Sequence, residues 1–112
     1  MRYAMVIIGS DQDQETPSDA QGEFDSLVRW WADLRGRGKV IASGKLAPRR
    51  TAVTLSWRQQ APMVTDGPFP EAKEAVAGFA FLDVESQAEA IEIASRWPRN
   101  HFRIELRAVE EG

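Results

Sequence analysis

The stretch "AVAGFAFLDV", residues 75–84, is apolar on both alternations of an extended chain. A strand that is greasy on both faces belongs in the interior of a sheet, with cover above and below it. The N-terminal stretch "MRYAMVII", residues 1–8, has the same character. Tyr3, Met5 and Ile7 point one way and Ala4, Val6 and Ile8 the other, so it too is expected to be a central strand.

The remaining elements arrange themselves around this pair. Phe24, Leu27, Val28, Trp31 and Leu34 recur at helical spacing and predict an amphipathic helix from about Glu23 to Arg35. The "RGRG" that follows ends it with cations and glycine. Trp30 falls off the apolar stripe and is expected to be an exposed indole. "KVIASGKLAP" reads as a strand stopped by Pro48, and "TAVTLSW" and "APMVT" as a hairpin turning at "RQQ". Ser86 and Glu89 form an S-x-x-E capping box opening a second helix, with Ala88, Ile91 and Ala94 as its buried stripe and Pro98 marking its end. "HFRIELRAV" alternates: Phe102, Ile104, Leu106 and Ala108 oppose His101, Arg103, Glu105 and Arg107, as an edge or half-open strand requires.

With the hairpin set aside, the order is β-α-β-β-α-β, the α+β ferredoxin-like unit, in one domain spanning residues 1–112. Its two helices can cover only one face of the sheet. The other face is still apolar, and a second copy packed sheet to sheet is the simplest cover. A homodimer is therefore expected.

Composition narrows the function. Hydrophobic residues make up 43% of the chain and charged residues 28%, as in soluble globular domains. The absence of cysteine removes disulfides, thiolate nucleophiles and thiolate-held zinc. The apolar runs are too short to span a bilayer, and the N-terminus lacks the pattern of a signal peptide, so a cytoplasmic location and no membrane partner are expected. The net charge of −3 is unevenly spread: residues 34–65 hold seven cations and no acid, while both flanking blocks are acidic. The basic block either decorates a helix end and exposed strands or attracts an anionic ligand. Overall acidity speaks against nucleic acid as a partner.

The chemistry-bearing residues gather in "VTDGPFPEAKE", residues 64–74. Two readings of this segment stand. In one it is a tight turn, with Gly67 supplying an unusual backbone angle, Pro68 fixing the next and Phe69 plugging the core. In the other it is a site, with Asp66 as a general base and Glu71, Lys73 and Glu74 beside it. His101 is the only histidine, so a histidine-rich metal centre is excluded. It is either a solvated strand residue or, if its face lines a cavity, a second acid–base group. Arg49 and Arg50 can grip a carboxylate or phosphate, or can simply form a turn after Pro48. No G-x-S-x-G, P-loop or dinucleotide fingerprint is present in its required context.

"MRYAMVIIG" at 1–9, "ASGKLAP" at 42–48, "VTDGPFPEAKEAVAGFAFLDV" at 64–84, "AEAIEIASRWP" at 88–98 and "IELRAV" at 104–109 together resemble the YCII-related family in its DGPF-domain branch. The resemblance covers essentially the whole chain and implies a dimeric α+β barrel. Members of the YCII branch proper are thought to use a His–Asp pair. Here residues 18–36 hold no histidine and "RWPRN" stands in place of D-P-F, so that pair does not carry over. Lys45 is a further departure, standing near where related sequences tend to carry an acid.

The expected protein is thus a small homodimer that binds a small anionic or polar organic ligand in a barrel cavity. Asp66 is its candidate base, His101 a secondary one, and Glu71, Lys73, Glu74, Lys45 and Arg50 its ligand-binding set. No cofactor or metal is expected. Chemistry of the isomerase or lyase type, by proton transfer, would suit such a site. The alternative is a non-catalytic interaction or sensor module, with an exposed apolar patch near Trp30.

Overall fold

The computed structural model describes residues 1–10, 21–67, 74–98 and 102–110. Among them the elements are β1 (Arg2–Ser10), α1 (Gln21–Gly36), β2 (Val40–Lys45), a 3-10 turn (Arg49–Thr51), β3 (Val53–Arg58), β4 (Ala61–Asp66), β5 (Glu74–Asp83), α2 (Gln87–Ser95) and β6 (Arg103–Ala108). Four strands form an antiparallel sheet in the order β2-β5-β1-β6, which is the ferredoxin-like arrangement. β1 and β5 are central, as their two-sided apolar sequences require, and β6 is an edge.

β1 pairs along its whole length with β5, from Arg2 opposite Asp83 to Ser10 opposite Glu74, with one bulge between Ile7 and Ile8. This register sets Tyr3, Met5 and Ile7 beside Leu82, Ala80 and Gly78 on the helix-covered face. On β6 the same face carries Ala108, Leu106 and Ile104. Tyr3, Met5, Ile7, Ala80 and Leu82 pack under Leu34 of α1 and Ala90 and Ile93 of α2, and Met5 and Leu82 are completely shielded from solvent. Truncating either to alanine belongs to the class of core changes that cost about 2–5 kcal/mol.

The helix ends follow local rules. Past α1 the amide of Gly38 donates to the carbonyl of Arg35 (3.0 Å) and that of Lys39 to Leu34 (2.9 Å), with Gly38 at φ 69°. That pair of bonds is a Schellman motif, so Gly38, not Gly36, is the residue that must be glycine. At α2 the Ser86 hydroxyl accepts from the Glu89 amide (3.2 Å), and Glu89 Oε1 accepts from the Glu85 amide (2.8 Å). The capping box therefore forms, with its return bond displaced by one residue.

Two expectations about the helices are corrected. Trp30 is not an exposed indole. It is half-buried, edge-on to Trp31 at 4.8 Å and to Trp97 at 5.3 Å. α1 is rolled toward this cluster, which leaves Val28 half-exposed. In α2 the buried residues are Ala90 and Ile93, while Ile91 lies 53% exposed. Ile91 and Ile93 project from nearly opposite sides of a helix, so only one can face the sheet. Close packing on the alanine at 90 selects Ile93.

β3 and β4 pair only with each other. Their turn is a two-residue one at Gln59 and Gln60, with φ 52° and 70°, the geometry that matches strand twist in a tight hairpin. At the other end Gly67, at φ 88°, donates from its amide to the Ala52 carbonyl and accepts from the Thr54 hydroxyl (2.9 Å). For Gly67 the turn reading of the DGPF segment is what the structure displays. The hairpin stands off the body as an arm. Overall extents are 47 × 41 × 18 Å and the radius of gyration is 16.1 Å, against about 13 Å for a compact chain of this length. None of the described helices is long and apolar enough to cross a membrane.

Lys39, just before β2, reaches Glu89 at 3.2 Å and ties the sheet to the first turn of α2. The bond from the Glu85 amide, then Lys39, hold the Glu89 carboxyl below its ordinary pKa. A carboxyl whose folded-state pKa is lowered adds stability above its unfolded value, and that stability is lost as pH falls through the folded one. The stability gap between the natural chain and Glu89→Gln, read from urea midpoints, should therefore be larger at pH 7 than at pH 3. An equal gap at both would show that the carboxylate's charge is not what the helix start uses.

Candidate functional site

The register of β2 on β5 determines where a cavity can open. Ser43, Gly44 and Lys45 lie opposite Ala80, Phe79 and Gly78. Gly44 faces Phe79, whose ring fills the space a Cβ at Gly44 would take (2.9 Å), and Gly78, opposite Lys45, lets the two backbones lie close. A Cβ at Gly78 would sit 3.0 Å from the Gly44 carbonyl oxygen and 3.6 Å from Ile7 Cδ1. The space left above Gly78 is a cavity of about 360 Å3 on the helix side of the sheet. That is large enough for a small organic molecule.

Its walls come from four directions. α1 supplies Leu27, Trp31 and Arg35, which share one helical face. β2 supplies Ser43 and Lys45. The chain past α2 supplies Trp97, and Phe102 and Ile7 close the apolar end. The Arg35 guanidinium stands 5.9 Å from the centre of the Trp31 ring, within reach of its face. Trp97 packs edge-on to both indoles of α1, and its own N–H is shielded from water with no acceptor among the described residues. The described lining carries two cations, Arg35 and Lys45, and no carboxylate. Chemically this is a slot with aromatic and aliphatic walls and an anion-seeking edge.

The structure separates the residues that the sequence grouped together. Lys45 lines the cavity. Asp66 ends β4 at the base of the arm, exposed and outside the cavity lining. Arg50 sits in the exposed 3-10 turn before the arm, also outside it. Glu74 begins β5 on the opposite face of the sheet, where it is bonded to Arg103 at 2.6 Å across β1. Glu71, Lys73 and His101 lie outside the described residues. No cluster of potential metal ligands occurs among the described residues.

Arg35, Ser43, Trp31 and Trp97 were not read as site residues from the sequence. One signal was available: Trp31 and Arg35 are four apart on one helix, so an aromatic and a cation share a face. Nothing in the sequence indicated that this face meets Lys45.

A two-helix, four-strand antiparallel α+β domain with a cavity between helix and sheet is the class this geometry defines. The chain belongs to the YCII-related domain family, which matches residues 1–110. It is also 39% identical, over 57 residues, to a protein of Rhizobium meliloti (strain 1021) described as uncharacterized. That match covers 51% of this chain and 46% of the relative, so the chain spans about half the length of the curated relative it matches.

The close approach at Gly78 gives a direct check. Gly78→Ala pushes a methyl group against the Gly44 backbone, so it should lower stability by about 1–3 kcal/mol in urea unfolding, as overpacking of a close contact does. An unchanged midpoint would mean that the two strands separate freely at this point.

Proposed function

We propose that this protein binds a small organic anion, with an apolar and preferably aromatic body, in the cavity between α1 and the β2–β5 end of the sheet. The observation that carries this reading is the lining itself: Trp31, Trp97 and Phe102 around a cavity of about 360 Å3, with Lys45 and Arg35 and no described carboxylate to neutralise them. Cations placed beside apolar walls favour a carboxylate whose charge is held at the edge while its body leaves water.

The protein acts as a homodimer in this reading. Ala4, Val6, Ile8 and Phe79 are only partly covered on the face away from the helices, and Val76 and Phe81 on that face are exposed. A continuous apolar sheet face of this kind marks an association surface. A second copy laid over it would complete the dimeric barrel that the family resemblance implies, in a cytoplasmic protein without a cofactor.

Tryptophan fluorescence tests the binding, because Trp31 and Trp97 lie in the wall. Benzoate and phenylacetate should shift the emission saturably and benzylamine should not. Replacing Lys45 and Arg35 together by methionine should weaken the carboxylates by about tenfold or more, the effect of losing a charge-assisted contact. Indifference to charge, or equal binding by the double variant, would refute the anion site.

Turnover by proton transfer is the finer reading; Asp66, exposed on the arm and outside the cavity lining, would be its base only for a ligand that reaches the arm. Because Asp66 sits on the arm, Asp66→Asn should leave carboxylate affinity unchanged and abolish turnover of any substrate found. Full turnover in that variant would show that another group is the base, and absence of turnover in the natural chain would leave the alternative, a non-catalytic interaction or sensor module.

A further inference from the structure

Several cations of this chain are matched to an acid. Arg37 holds Asp33 at 3.0 Å, Lys39 holds Glu89 at 3.2 Å and Arg103 holds Glu74 at 2.6 Å. Arg35 and Lys45 have no ion-pair partner among the described residues, yet both line the same cavity. The carbonyls at the end of α1 do not serve Arg35 either, because those of Asp33, Leu34 and Arg35 accept the amides of Arg37, Lys39 and Gly38.

The two cations come from different layers. Arg35 belongs to the last turn of α1, and its guanidinium stands 5.9 Å from the centre of the Trp31 ring. Such a contact orients the planar fork and leaves its N–H edge for a carboxylate. Lys45 comes from the sheet, at the end of β2 and opposite Gly78, which has no side chain to stand in its way. The helix layer thus offers one anion-binding group and the sheet layer a second, and Trp31, Trp97 and Phe102 supply the apolar wall.

We infer that the ligand of this cavity carries two anionic groups on one flat apolar body, the first met by Arg35 and the second by Lys45. This rests on the anion site proposed above and specifies its ligand. A guanidinium and an ammonium together offer about eight donor hydrogens, whereas one carboxylate accepts at about four sites. A monoanion therefore leaves one cation beside the bound ligand with no charge to meet. Like charges flanking one site also repel each other, and a dianion turns both into attractions. A cavity of about 360 Å3 has room for a single ring with two such substituents.

The three benzenedicarboxylates, each compared with its own monomethyl ester at pH 8 and constant ionic strength, test this on the natural chain. Diacid and ester share a ring and nearly a shape but differ by one charge, and the ester is the more apolar of the two. Read by tryptophan fluorescence, at least one diacid should bind tenfold or more tighter than its ester, as one added charge-assisted contact does. Arg35→Met and Lys45→Met should each cut that advantage to within about twofold, because each leaves a single cation. Both side chains are exposed, so neither substitution removes core packing.

Ratios below tenfold for all three isomers, with benzoate still binding saturably, overturn the second charge and leave the anion site standing. Emission that neither benzoate nor any diacid or ester shifts removes the anion site itself. A tenfold advantage that survives either substitution means that Arg35 and Lys45 do not divide the two charges between them, and overturns the inference.

Discussion

The pairing of β1 with β5 is the interaction on which everything else is hung. Their register, unbroken except for one bulge, fixes which side chains enter the core and which meet the outside. Because side chains alternate, one choice of register places Tyr3, Met5 and Ile7 under the helices and leaves Ala4, Val6 and Ile8 on the far face. The buried half forms the core, and the far half creates the requirement for a partner.

The same alignment creates the cavity. β2 joins β5 where Gly78 faces Lys45 and lies close against the Gly44 backbone, so the helix side of the sheet lacks a side chain at Gly78. α1 passes above it with Trp31 and Arg35, and Trp97 comes in from the end of α2. Three indoles meeting edge-on give the wall a rigid shape, since aromatic pairs favour these tilted contacts. The cations sit at the edge because both belong to the ends of elements, one to the last turn of α1 and the other to the last residue of β2.

Much of this was legible in the residues. The two strands apolar on both faces were correctly central, the turn at Gln59 and Gln60 lies where the hairpin was expected, and Ser86 with Glu89 opens α2. The phase of the helices was less legible. Periodicity placed Trp30 outside and Ile91 inside, and both were reversed by contacts from distant parts of the chain: Trp97 draws Trp30 inward, and the fit of Ala90 on the sheet turns Ile93 inward. The candidate site was read as Asp66 with Glu71, Lys73 and Glu74 beside it, joined by Lys45, Arg50 and His101. Of its described members only Lys45 reaches the cavity, because Asp66 ends a strand of the arm and Glu74 begins one on the other face of the sheet.

The sequence by itself determined the element order and the fact that one sheet face would lack cover, since these follow from alternation, capping and turn chemistry, all of which act between near neighbours; the family it showed through the likeness of its motifs. Only the tertiary structure decided that the hairpin stands apart as an arm, that α1 rolls toward Trp97, and that Arg35 and Lys45 share a cavity. Those outcomes depend on how residues dozens of positions apart divide a fixed volume between them, and no local pattern in the chain encodes that division.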